Sequence, residues 1–262
     1  MDLGLTGKRA LVLGSSRGLG LGIAEALAAE GADVVVCGRS EEKLRAVALR
    51  ITGQGQGVAH PVVVDLAARD SAARLADAAL AALGRVDILV NNSGGPPPGP
   101  VTAVTDETWR GQFETMVLRI FGLTALLVPG MRERRWGRIL TLTSSGVVQP
   151  IPQLGISNAL RAALVTWSKT LATELAAEGV TVNTLVPGRI QTQRVDELDA
   201  AAAARQGTTV EEVARQARAT IPVGRYGEVR ELAAVAAFLV GEPASYVTGS
   251  VIRVDGGLIR AI

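Results

Sequence analysis

Along this chain, short runs of β-branched residues and leucine alternate with longer, alanine-rich stretches. The runs are RALVLG (9–14), DVVVCG (33–38), PVVVD (61–65), VDILVNN (86–92), RILTLT (138–143), VTVNTLV (180–186) and SVIRVD (250–255). Most are continuously apolar rather than alternating, as expected of parallel strands covered on both faces. The stretches between them predict helices near 18–30, 41–52, 69–83, 106–134, 153–178 and 228–240. Alternation of this kind predicts an α/β fold, a Rossmann-type doubly wound parallel sheet of about seven strands with helices on both faces. No internal boundary or repeat interrupts it, so residues 1–262 read as a single domain. Two segments break the rhythm: GGPPPGP (94–100), a proline-rich loop after the fourth strand, and 190–222, a polar, alanine-rich excursion after the sixth. In open α/β sheets ligands sit beyond the carboxyl ends of strands, where both segments fall. The second reads as a mobile lid with little apolar burial to hold it.

Composition narrows the classes. Hydrophobic residues are 48% and aromatics 3%, so the core is expected to be aliphatic. A net charge of +2 gives no reason to expect nucleic acid or an anionic membrane as partner. The single cysteine, Cys37, allows no disulfide framework and suits a reducing cytoplasm; in its apolar run it reads as a small buried hydrophobe. The N-terminus shows no signal-peptide pattern. No apolar run approaches the roughly 18–20 residues that span a bilayer, so a cytoplasmic protein is expected. No metal site is expected.

The first strand runs into LVLGSSRGLGLG, which opens the first helix. Gly14, Gly18 and Gly20 would let the backbone turn tightly and approach a pyrophosphate at the helix N-terminus. The spacing is G-x-x-x-G-x-G rather than G-x-G-x-x-G. The second strand ends in CGRS, with Arg39 and no carboxylate to hold a ribose 2′-hydroxyl, while Arg17 lies within the glycine loop. Two converging guanidinium groups suit a 2′-phosphate, so NADP(H) is expected over NAD(H). Asp65 ends the third strand, where it is expected near the adenine amino group. Asn91 ends the fourth, where it is expected to hold the central backbone.

GSSRGLG, VDL (64–66), NNSG (91–94), TSS (143–145), PGRIQT (187–192) and VTGSVIRVDGG (247–257) occur in that order over nearly the whole chain. Together they resemble the short-chain dehydrogenase/reductase family, and most closely its members labelled 3-oxoacyl-acyl-carrier-protein reductases. The resemblance implies NAD(P), a small carbonyl or alcohol substrate and, usually, a homotetramer. It also implies Ser16 and Leu19 in the glycine loop, Leu66 and Gly94 after the third and fourth strands, Pro187, Gly188 and Ile190 beside the nicotinamide, and Thr192 near the phosphates.

The family's active site is implied to need a serine, a tyrosine, a lysine four residues after the tyrosine, and an asparagine on the preceding long helix. Ser144 stands at the serine position. Thirteen residues on, Ser157 stands where tyrosine belongs, and Arg161 where lysine belongs; Met116 occupies the asparagine position. Tyr226 and Tyr246 lie near the C-terminus and neither precedes a lysine by four; the one histidine, His60, is expected in a loop before the third strand. An aliphatic alcohol is a far weaker acid than a tyrosine of pKa about 10. Arg161 can keep a ribose contact but cannot shuttle protons. Three readings stand: a divergent NADPH-dependent reductase whose acid is water or a substrate group, a cofactor-binding protein without dehydrogenase activity, and a structural subunit of a mixed oligomer.

Overall fold

Alternation within single strands builds the molecule in layers. In β1 (Arg9–Val12), Ala10 and Val12 point to one face while Leu11, and Leu13 just beyond, point to the other, the two-residue period of a pleated strand. β2 (Asp33–Gly38) repeats this with Val34 and Val36 against Val35 and Cys37. The first face receives α1 (Gly18–Ala29), α2 (Glu41–Gln54) and α9 (Val229–Val240) through Ile23, Leu27, Leu44, Ile51, Leu232 and Leu239. The second receives α3 (Ser71–Leu83) and α5 (Arg119–Glu133) through Leu75, Leu83, Leu123, Leu127 and Met131. α6 (Gly155–Leu175) closes that face through Ala172 and Leu175. With β3 (Ala59–Val63), β4 (Ile88–Asn91), β5 (Gly137–Leu142), β6 (Val180–Pro187) and β7 (Val251–Val254), the sheet has seven strands in the order β3-β2-β1-β4-β5-β6-β7. All neighbouring pairs are parallel. This computed structural model describes residues 1–261.

The expected fold class is the observed one, with local differences. β3 starts two residues earlier than expected and takes in His60, which lies opposite Val35, so the histidine is in a strand rather than a loop. β3 is an edge strand, which tolerates Pro61 and its missing N–H. The stretch expected as one helix at 106–134 is α4 (Asp106–Phe113), a π-helical turn over Glu114–Leu118, then α5. Within Asp106–Glu133 an 18-residue window reaches a mean hydropathy of 1.4, enough by length and composition alone to cross a membrane, a test that the core helix of a globular protein also passes. Here it packs against α3 and α6.

The excursion at 190–222 contains two helices, α7 (Gln193–Gln206) and α8 (Val210–Ala219). It has more to hold it than expected. Val195, Ile221 and Tyr226 form a separate small core. Beside that core, buried Asp199 accepts from Arg189 Nη1 at 2.6 Å and from the Tyr226 hydroxyl at 2.7 Å.

Candidate active site

Between β1 and α1 the backbone turns through Gly14 (φ 59°) and Gly18 (φ 60°), in the left-handed region that disfavours side chains. Gly20 is required for space: a Cβ there would lie 2.5 Å from the Gly14 carbonyl oxygen and 2.8 Å from Asn92 Nδ2. Asn92 donates to the Leu13 carbonyl at 3.1 Å and reaches that of Gly14 at 3.5 Å. Buried Ser15 donates to the Val12 carbonyl at 2.7 Å and accepts from the Cys37 N–H at 2.8 Å, tying the loop to β2. Neither Asn92 nor Ser15 was singled out from the sequence, although both stand inside the quoted GSSRGLG and NNSG. α1 begins with no side-chain cap and no acid in its first turn, leaving its N–H groups and positive dipole end open for an anion. The cradle fits a dinucleotide's pyrophosphate.

Around this cradle the expected residues have distinct surroundings. Arg39 is exposed and makes no ion pair among the described residues. Arg17 Nη1 is 3.2 Å from Glu197 Oε1 of α7, so one of the two guanidinium groups expected to converge is already engaged by the excursion. Ser16 abuts the end of β2, its Oγ 3.1 Å from where a Gly38 Cβ would stand. Leu19 and Leu66 are half-buried against the two main cores. Asp65 is exposed and accepts from the Ala67 N–H at 3.0 Å. Asn91 is buried and points Nδ2 at Thr124 Oγ1 (3.4 Å) and Thr141 Oγ1 (3.5 Å). The backbone contact expected of it is made instead by Asn92. Pro187 ends β6, and the Gly188 N–H donates to the Val254 carbonyl at 2.9 Å. Ile190 is buried and bridges to Gly227. Thr192 caps α7 within 4 Å of where a Gly18 side chain would begin, which seats the start of the excursion beside the glycine loop.

The second half of the site is built on the first turns of α6. Ser157 and Arg161, one helical turn apart, are each 8% exposed. Arg161 Nε donates to Ser157 Oγ at 3.2 Å. Its Nη1 donates to the Leu142 carbonyl at 3.2 Å, and its Nη2 to the carbonyls of Ser93 (3.2 Å) and Gly94 (3.5 Å). One guanidinium thus joins α6 to the ends of β4 and β5. Burial, and secondarily the neighbouring Arg194, lowers its pKa to about 10, so it remains charged near neutrality. Because Ser157 Oγ accepts from Arg161, its own O–H is directed elsewhere; it has no acceptor among the described residues. Ser144 follows β5 and caps a short turn, accepting from the Gly146 N–H at 3.2 Å. Gly146 presses on Asn158, whose Oδ1 would stand 2.2 Å from an added Cβ. That contact sets the Ser144 turn against the start of α6.

The sequence model of the family described as enoyl-(acyl-carrier-protein) reductase matches residues 14–259. The 3-oxoacyl-acyl-carrier-protein reductase of Escherichia coli is 36% identical over 254 residues, covering 96% of this chain and 97% of that protein. The chain belongs to the short-chain dehydrogenase/reductase family. The Haemophilus influenzae 3-oxoacyl-acyl-carrier-protein reductase is 33% identical over 97% of this chain and 99% of its own. Among solved structures, L-sorbose reductase from Gluconobacter frateurii, complexed with NADPH and L-sorbose, superposes with a TM-score of 0.94 at 34% identity over 100% of both chains. A variant of the actinorhodin polyketide ketoreductase with NADPH gives 0.90 at 33% identity, over 96% of this chain and 97% of that one.

This short-chain dehydrogenase/reductase therefore carries a Ser–Arg hydrogen-bonded pair where the resemblance implies tyrosine and lysine. Met116 is buried in the π-helical turn with Ile156, Leu160 and Leu164 around it, so the place where an asparagine would support a relay water is apolar. Tyr226 is committed to Asp199 under the excursion and Tyr246 is fully exposed.

Proposed function

We propose that this family member is an NADP(H)-dependent oxidoreductase of small carbonyl or alcohol compounds, working through Ser144, Ser157 and Arg161 in place of a Tyr–Lys pair. The observation that carries this reading is the Arg161–Ser157 hydrogen bond. It leaves the serine proton unclaimed at the start of α6, which Arg161 ties to the carboxyl ends of β4 and β5. The preference for NADP(H) is supported by exposed, unpaired Arg39 and the absence of a carboxylate at the end of β2.

When bound, the nicotinamide supplies or accepts the hydride. The residues of the chain act on the oxygen. Ser144 and Ser157 offer O–H groups to a carbonyl oxygen as negative charge develops on it. Arg161, bonded to Ser157 Oγ, increases the polarity of that O–H and adds a fixed positive charge. Preorganised donors of this kind each contribute about 10²–10³ in rate. A serine and the product alcohol are acids of similar strength, so the serine proton has little drive to transfer. The product oxygen takes its final proton from water. Losing a positioned general acid costs about 10²–10⁴, and slow turnover follows.

Apolar Met116 at the relay position favours one other reading, a cofactor-binding protein without turnover. Stopped-flow recording of NADPH absorbance over a panel of ketones, aldehydes and oxo acids separates the two. Carbonyl-dependent loss of NADPH supports the oxidoreductase. Saturable NADPH binding with no oxidation across the panel supports the alternative. A homotetramer is the expected assembly, since Phe113, Leu118 and Leu126 lie exposed along the α4–α5 stretch. Sedimentation as a monomer at micromolar concentration would contradict it.

A further inference from the structure

Arg161 carries its charge into a nearly closed setting without a counter-ion. Its four acceptors, Ser157 Oγ and the carbonyl oxygens of Leu142, Ser93 and Gly94, are all neutral. A buried charge ordinarily needs an opposite charge as well as hydrogen bonds. Arg138, the other deeply buried arginine, has one: its Nη2 lies 3.6 Å from Glu242. Arg161 has instead a second cation for a neighbour. A Cβ on Gly95 would stand 3.5 Å from Arg194 Nη2 and 3.8 Å from Arg161 Nη2, so both groups flank one point over an exposed, side-chain-free stretch of loop.

The protein does little to neutralise this pair. Arg194 Nη2 donates to the Pro96 carbonyl at 2.7 Å, another neutral acceptor. Its Nη1 lies 3.6 Å from Glu197, and that same carboxylate takes Arg17 at 3.2 Å. Three guanidinium groups thus face one acid around the rim of the cleft. Arginine forks match a planar carboxylate in shape as well as in charge.

We propose that Arg161 and Arg194 form the seat of a substrate carboxylate, so that the carbonyl compound reduced here is a short oxo acid. The inference rests on the oxidoreductase reading and assigns its substrate class. Arg161 Nε holds Ser157, and its Nη2, bonded to the Ser93 and Gly94 carbonyls, lies beside Gly95 next to Arg194 Nη2. A carboxylate over Gly95 would be taken by Arg194 and held by the charge of Arg161, with a carbonyl one or two bonds away set toward the serine. Arg194 is the specificity residue in this arrangement and Arg161 serves both groups.

Calorimetric titration of malonate, and of its neutral diamide malonamide, tests the assignment on the full protein with and without saturating NADPH. Malonate is expected to bind and malonamide to bind at least about tenfold more weakly, since charge-assisted hydrogen bonds are the strong ones. Arg194→Gln should weaken malonate by about tenfold while NADPH affinity, read by fluorescence, stays within about twofold; Arg194→Lys should recover part of the loss. Equal binding of malonate and malonamide overturns the proposal. So does an Arg194→Gln loss that falls on NADPH in place of malonate, which would assign the arginine to a cofactor phosphate. Failure of the oxidoreductase reading has a separate sign, NADPH that stays unoxidised across the whole carbonyl panel, and the malonate titration still decides the carboxylate seat.

Discussion

The two ends of the cleft are constrained in different ways. At the glycine loop the constraints are on the backbone: positive φ at Gly14 and Gly18, and a Gly20 whose Cβ would enter the Gly14 carbonyl. At Gly20 no side chain can be added without moving the Gly14 turn, and at Gly14 and Gly18 one is strained by the backbone. At the start of α6 the constraints are on side chains. Ser157 and Arg161 sit on a regular helix, and the fold asks there only that the guanidinium be satisfied, which Ser157 Oγ and the carbonyls of Leu142, Ser93 and Gly94 accomplish. A binding cradle made of main chain is inseparable from the fold, whereas a proton donor on a helix face can be exchanged with the fold intact. The difference leaves the glycine loop bound to the fold and the side chains at positions 157 and 161 exchangeable on it.

The sharpest way to break the comparison is at Gly20. Gly20→Val should cost about 1–3 kcal/mol through overpacking, and that displacement should lower NADPH affinity by roughly tenfold to a hundredfold. Fluorescence titration alongside thermal melting measures both; unchanged affinity would remove the backbone argument. Ser157→Ala tests the other end. It should leave NADPH affinity unchanged and lower the rate of hydride transfer by about 10²-fold or more, the loss of one donor to a developing oxyanion. A smaller effect belongs to Arg39→Ala, which should weaken NADPH by about tenfold with NADH little changed. Equal wild-type affinities for the two cofactors would contradict the assignment. The smallest effect is at Cys37, on β2 behind the glycine loop. Burial pushes its thiol up to about 12, so iodoacetamide should not label it until the protein unfolds. Because the folded pKa is the raised one, the unfolded chain ionises first, and stability should fall as pH rises from about 9 toward 12.

Much of this architecture was legible because its signals are local. Continuous apolar runs marked the strands, and glycines between a strand and a helix marked the cradle. The spacing from Ser144 singled out Ser157 and Arg161, which the helix brings into one hydrogen-bonded pair. What escaped has no local signal. The π-helical turn at Glu114–Leu118 lies inside an uninterrupted helical pattern. The early start of β3 was masked by Pro61, which an edge strand accepts. The core under α7 and α8 is assembled from Val195, Ile221 and Tyr226, single residues too far apart in sequence to form a periodic run. Nothing in the sequence around Arg194 sets it apart; the fold places it beside Gly95 and Arg161.

The central claim is that no titrating side chain supplies the proton: the developing oxyanion is held by serine hydroxyls and a cation that stays charged across neutrality. The pH dependence of the single-turnover hydride-transfer rate, with saturating NADPH and an oxo acid or ketone, tests it most directly. A tyrosine tuned toward neutrality by a cation would impose a break between about pH 6 and pH 9. Ser157 does not ionise in that range, and Arg161 loses its charge only near about 10. The account predicts a flat profile from about pH 6 to about pH 9, a rate below about 10 per second, and a fall only as pH approaches 10. A break inside the flat range, or a faster rate that survives Ser157→Ala, would contradict it.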